Sequence, residues 1–172
     1  MNEILLLYLL LKGQNTMYGL SKLLNRYFGF ITNPSLGAIQ PTLKKLEARK
    51  YVCSDKFITD GGKPYFYFTI TDEGKLFLKN KIMEKPKPSP ITMYPTVKIK
   101  LICSDILDNE EQKELFKILK PELQKIKQIA DNALKIDVFQ DNFKGKMVLD
   151  NSVCEYKNMI DLIERFENAG SR

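Results

Sequence analysis

Residues 33–74 read NPSLGAIQPTLKKLEARKYVCSDKFITDGGKPYFYFTITDEG, and within them one hydrophobic period gives way to another. Leu36, Ile39, Leu43 and Leu46 recur at i, i+3, i+7 and i+10, one apolar stripe of a helix. Asn33-Pro34 reads as the N-cap and first position of that helix. After Lys50 the texture becomes β-rich. Residues 51–58 and 64–70 are strand-like runs around the turn Thr59-Asp60-Gly61-Gly62-Lys63, the pattern of a hairpin. Thr71 then caps another helix, with Asp72 and Glu73 in its first turn and Leu76, Phe77 and Ile82 as its buried positions.

Two helices precede this stretch. Asn2 caps a first that runs through Leu11 and stops at Lys12-Gly13. Thr16 caps a second, with Tyr18, Leu20, Leu24 and Tyr27 as apolar positions and an end near Gly29. Three helices, a hairpin and a helix within eighty residues is the order of a winged helix-turn-helix domain. The expected fold is mainly α with a small β-hairpin wing, and the expected domain spans 1–83.

Glu84 to Thr96 holds Pro86, Pro88, Pro90 and Pro95, which predicts an extended linker over 84–96. The region 97–172 is expected to be a helical dimerisation domain. Residues 97–107 fit either a strand or a short helix. Asp108 with Glu111 forms a capping box for a helix from about Asn109, with Leu115, Leu119, Ile126, Ile129 and Ala133 apolar and a bend expected at Pro121. A last helix, about 147–168, places Leu149, Val153, Tyr156, Ile160, Ile163 and Phe166 on one stripe. Two amphipathic helices contain too little protein to cover such stripes, so these six residues are expected to meet a second copy.

The charge divides at the same boundary. Of the net +6, residues 1–82 carry twelve basic and six acidic side chains, and residues 83–172 carry fifteen of each. One basic module is joined to a neutral one. No histidine is present, which removes Ser–His and Cys–His catalysis and imidazole zinc sites. Cys53, Cys103 and Cys154 are far apart and odd in number, which argues against a disulfide framework and for a reducing cytoplasm. They read as small buried hydrophobes, with a redox-sensing thiol as the other reading. The apolar run Ile4 to Leu11 is too short to span a bilayer, so no membrane role is expected. With no nucleophile–base pair and no phosphate-cradling glycine loop, neither an enzyme nor a cofactor or metal site is expected.

In a helix-turn-helix the second helix of the pair enters the major groove. Here that is the helix from Ser35, whose face opposite the stripe carries Gly37, Ala38, Pro41, Lys44, Lys45 and Ala48, with Gln40 and Thr42 on the flanks. Small residues near its start admit the groove floor, Gln40 suits an adenine edge, Ser35 and Thr42 suit bases or phosphates, and the lysines suit phosphates. Lys63 at the hairpin tip suits a wing contact, and Lys22 a backbone contact. Double-stranded DNA is the expected partner.

Residues 10–24, LLKGQNTMYGLSKLL, resemble the N-terminal signature of PadR-type transcriptional regulators, with Tyr18, Leu20, Lys22 and Leu24 in register. Residues 37–47 are similar to that family's recognition helix, including a proline at Pro41; Gln40 replaces the usual tyrosine and Lys50 the usual helix-ending glycine. Residues 61–74 are similar to its wing-to-helix signature. Tyr65 and Phe66 stand where basic residues are common, and Tyr67 matches an aromatic that would point outward if Phe66, Phe68 and Ile70 face the core. The resemblance adds Tyr18 and Tyr67 to the expected DNA contacts. It implies a homodimeric regulator, most often a repressor, on a pseudo-palindromic operator, with release by a small apolar effector. Tyr8, Tyr94, Phe139, Tyr156 and Phe166 could stack such a ligand or serve as ordinary core aromatics. The competing reading is a winged-helix module that binds protein without sequence-specific DNA binding.

Overall fold

A computed structural model describes residues 2–58, 61–62, 64–87, 89–136 and 142–169. The chain forms two compact units, Met1–Glu84 and Lys85–Arg172. The first holds α1 (Asn2–Lys12), β1 (Asn15–Thr16), α2 (Met17–Phe28), α3 (Leu36–Ala48), β2 (Val52–Ile58), β3 (Pro64–Ile70) and α4 (Asp72–Met83). It is mainly helical with a small antiparallel sheet, the winged helix-turn-helix arrangement.

Helix α1 is the hub of this unit. It packs against α2, α3, α4 and β3, and Leu5, Leu6, Leu7, Leu9 and Leu10 are all buried. A helix surrounded by protein needs apolar residues on nearly every side, which is why the run 4–11 lacks polar positions. Thr16 caps α2, its hydroxyl oxygen accepting from the Gly19 amide at 3.0 Å. The buried stripe of α2 is Leu20, Leu24 and Phe28, while Tyr18 and Tyr27 are exposed rather than buried as their spacing suggested. The i, i+4, i+8 row faces the core, and each tyrosine lies off that row.

Helix α3 begins at Leu36, with Ser35 and not Asn33 as its N-cap: the extended Ser35 offers its carbonyl to Ala38 and Ile39, and Pro34 lies outside the helix. Ile39, Leu43 and Leu46 form the buried row, and Leu36, one turn earlier, is exposed. The helix ends in a Schellman motif. The Tyr51 amide donates to the Leu46 carbonyl and the Lys50 amide to the Glu47 carbonyl, both at 2.9 Å, with Lys50 left-handed at φ 61°.

The hairpin forms as expected, Val52 opposite Ile70 through Ile58 opposite Pro64. Sequence reading missed β1, whose Asn15 and Thr16 pair with Phe68 and Tyr67 to give the sheet order β1-β3-β2. Two residues paired with a strand fifty positions away leave no local pattern to read. Along β3, Ile70 is buried and Phe68 half-buried, but Phe66 is exposed, because the inward face of the hairpin outruns the core beneath it. Thr71 caps α4. Leu78 and Ile82 are its buried row, Phe77 stacks on Tyr51 with ring centroids 4.3 Å apart, and Leu76, expected inside, faces out.

The second unit holds α5 (Pro90–Ile102), a 3-10 turn at Cys103–Ile106, α6 (Asn109–Ala133) and α7 (Phe143–Ala169). The expected extended stretch 84–96 is corrected here: it gives way to helix at Pro90. Proline at the first helical position loses no needed N–H. Pro95 does remove one, a loss offset by burial of Met93, Val97 and Ile99. Residues 97–102 are therefore helical rather than strand. The capping box is present: the Asp108 carboxylate accepts from the Glu111 amide at 2.9 Å and the Glu111 carboxylate from the Asp108 amide at 3.1 Å. Helix α7 packs along α6, joined by the ion pairs of Lys120 with Glu167 at 3.0 Å and with Glu164 at 3.3 Å. Cys103 is buried, but Cys53 and Cys154 are exposed, against the expectation that all three pack inside. Among the described residues no helix is long and apolar enough to cross a membrane.

Candidate nucleic-acid interface

The face of α3 opposite Ile39, Leu43 and Leu46 is open. Gly37, Gln40, Pro41, Lys44 and Lys45 are exposed along it, and Ala38 and Thr42 are half-buried. A Cβ built on Gly37 would meet no atom nearer than the Ser35 hydroxyl at 3.7 Å, so no neighbour within the fold requires glycine there. Pro41 has no N–H for the Gly37 carbonyl, and at the next position the Thr42 hydroxyl donates to the Ala38 carbonyl at 2.8 Å. That bond commits the Thr42 proton to its own helix and leaves its oxygen only as an acceptor.

The two lysines of α3 differ. Lys44 lines a cleft of about 680 Å³ together with Gln40, Met17, Tyr18, Phe66 and Phe68. Lys45, one position on, is turned toward α1 and ion-paired with Glu3 at 2.8 Å. The Lys45 hydrogen bond holds the Glu3 carboxyl below its ordinary range, against the opposing effect of partial burial. A phosphate contact by Lys45 would therefore compete with an existing partner. Nothing in the sequence links positions 3 and 45; the pairing comes from the packing of α1 on α3.

The opposite wall of the cleft is the hairpin. The Ser54 hydroxyl donates to the Glu47 carboxylate, tying β2 to α3. Glu47 is a positioning residue that sequence reading passed over. Tyr18 and Lys22 lie together on the exposed face of α2, the Lys22 ammonium 4.6 Å from the centroid of the Tyr18 ring. Ser35 is exposed, and its side chain makes no capping bond. Tyr67 is half-buried. Its ring meets Phe57 edge-on at 5.5 Å and Tyr65 at 5.6 Å. Lys63 lies outside the described residues. The structure thus brings Tyr18, Gln40, Lys44 and Tyr67 to one cleft and leaves Lys45 on the flank of α3 beside Glu3.

In the second unit the expected partner-facing stripe divides. Tyr156, Ile160 and Ile163 are buried within their own unit and so correct the expectation that they face a second copy. The Tyr156 hydroxyl donates to the Pro90 carbonyl at 3.0 Å, and burial followed by the nearby Glu155 charge raises its pKa. Helices α5 and α6 supply the cover that two helices alone could not. Leu149 and Val153 are half-buried, and Phe166 is exposed with its ring 6.2 Å from Phe116. Of the aromatics read as ligand-stacking or core, Tyr8 packs edge-on against Phe28 at 6.3 Å and Tyr94 against Tyr156 at 6.2 Å. Phe139 lies outside the described residues.

Residues 6–80 match the sequence pattern of the transcriptional regulator PadR-like family. No curated protein matches the chain in sequence. Among solved structures, it is similar to Bacillus subtilis PadR in complex with operator DNA at 20% identity, covering 95% of this chain and 94% of that one with a TM-score of 0.48. A transcriptional regulator from Thermoplasma acidophilum is 28% identical over 46% of this chain and 72% of its own, with a TM-score of 0.42. The smu.1604c protein of Streptococcus mutans is 17% identical over 96% and 98%, with a TM-score of 0.46. Over residues 6–80, which lie within the first unit, the chain is similar to the PadR-like family of transcriptional regulators.

Proposed function

We propose that this protein is a DNA-binding repressor that acts as a homodimer, placing one α3 in each of two major grooves of a pseudo-palindromic operator. The observation that carries the reading is the open face of α3, with Gln40 and Lys44 directed into a cleft, in the module that holds the chain's whole positive surplus. Gln40 is suited to an adenine edge and Lys44 to a phosphate, with Tyr18 and Lys22 on the flanking backbone. Support for the dimer comes from apolar side chains that the second unit leaves uncovered. Phe143 is 74% and Val148 66% exposed, and Met147, Ile129 and Ile136 are exposed as well. Together with Leu149 and Val153 they form the surface that a second copy would bury. Release by a small apolar effector belongs to the same reading, with the Tyr94–Tyr156 pair as the aromatic platform.

The test is selection of duplexes from a random library, followed by affinity measurements over a range of salt and by sedimentation. The expected result is an inverted repeat with half-sites about 10 bp apart, bound by two chains, with affinity falling steeply as salt rises. An affinity flat from low to physiological salt, or a monomer in the complex, overturns it.

A further inference from the structure

The two strands of the wing carry few charges. Across Val52–Ile58 and Pro64–Ile70 only Asp55 and Lys56 are ionised, and they cancel. Lys56 stands across from Phe66, and toward the tip the two strands present apolar groups on both faces. On one face Phe57, Tyr65 and Tyr67 pack as a three-ring cluster, each pair with centroids 5.5–5.6 Å apart. On the other, Ile58 is 68% and Phe66 44% exposed, diagonal neighbours in the register that pairs Ile58 with Pro64 and Lys56 with Phe66. Phe66 belongs to the same cleft as Lys44 and Gln40, so the apolar surface is continuous with the open face of α3.

We propose that the Ile58–Phe66 face is an apolar wedge that enters the minor groove beside the α3 site and opens a base step, bending the duplex. The inference rests on the DNA-binding reading above. Its physical basis is that side chains such as Phe and Ile, inserted between bases, gain burial and permit a bent duplex to wrap more protein. Ile58 and Phe66 carry no charge, so the contribution of these two side chains to binding is independent of salt. The three-ring cluster on the far face stiffens the ribbon, and the Ser54–Glu47 bond fixes its base to α3.

The test uses the full chain and a duplex that the wild-type protein selects from a random library. The variant carries Ile58→Thr and Phe66→Thr, which keep β-forming residues at positions that contribute little to the core. Its far-UV spectrum and thermal midpoint should match those of the wild type. The expected result is an affinity loss of roughly tenfold, the scale of a lost stacking or wedge contact, with the slope of log K against log salt unchanged. The bend measured by circular permutation should shrink. Phe66→Tyr should retain the bend, and Lys44→Ala should lower the salt slope by about one unit.

A straight wild-type complex, or a double variant that binds and bends like the wild type, overturns the wedge while leaving the DNA-binding reading intact. So does a double variant that keeps its DNA affinity but changes the oligomeric mass, which would assign the face to a protein contact. Failure of the wild type to enrich any duplex overturns the DNA-binding reading and the wedge with it.

Discussion

Lys50 should be the easiest place to stabilise this protein. It occupies the left-handed C′ position of α3 at φ 61°, where a side chain costs about 1–2 kcal/mol relative to glycine. Lys50→Gly removes that strain, but it also frees the unfolded chain, which returns about 0.5–1 kcal/mol. The net gain is about 0.5–1 kcal/mol, because both Schellman bonds, Lys50 to Glu47 and Tyr51 to Leu46, are made by backbone atoms that the substitution keeps. With an m-value of about 2 kcal/mol/M the urea midpoint should rise by about 0.4 M. The assay is urea unfolding of the full chain by circular dichroism. Amide exchange in α3 and β2 should be measured alongside it, because two units need not unfold together. Lys50→Val should move both readouts the other way, since a β-branched side chain is worst at positive φ. If glycine lowers the midpoint or leaves it unchanged while valine does no harm, the left-handed geometry assigned to Lys50 is wrong.

Three other outcomes are expected. Gly74→Ala should destabilise by about 2–3 kcal/mol in the same unfolding assay, because its Cβ would stand 2.0 Å from the Tyr51 carbonyl oxygen, a backbone atom that cannot step aside. Gly37→Glu should leave stability equal or up to about 1 kcal/mol higher, since the position is open and early in a helix, yet reduce DNA affinity more than tenfold in a gel-shift assay. Glu122 is almost wholly enclosed, and the Lys125 hydrogen bond and then the Lys85 bond hold its carboxyl below the ordinary 4.5. Its contribution is therefore full above that value and lost as pH falls through the depressed one. Glu122→Gln should flatten the acid side of a stability profile taken from about pH 7 to about pH 3.

Much of the secondary structure was legible from local chemistry. Thr16, Thr71 and the Asp108–Glu111 pair cap their helices by bonds that span three residues, so the signal and the structure lie in the same short window. The hairpin was legible for the same reason, with two β-rich runs joined by a glycine turn. The errors have a different source. Tyr18, Leu36, Leu76 and Phe66 are apolar at plausible spacings, yet all four are exposed, because periodicity names a face without saying where the core ends. The prolines between 84 and 96 suggest a spacer, since a local rule cannot weigh the burial of Met93 and Val97 against one missing N–H.

The binding surface divides in the same way. Sequence alone determined that residues 1–82 carry the surplus charge and that α3 carries small residues and lysines opposite its apolar stripe. Only tertiary structure separated Lys44 in the cleft from Lys45 paired with Glu3, and moved Tyr156, Ile160 and Ile163 from a presumed interface into their own core. Composition and period act within a few residues, whereas an ion pair across forty-two positions, or a third helix that covers a stripe, exists only once the chain has folded back on itself.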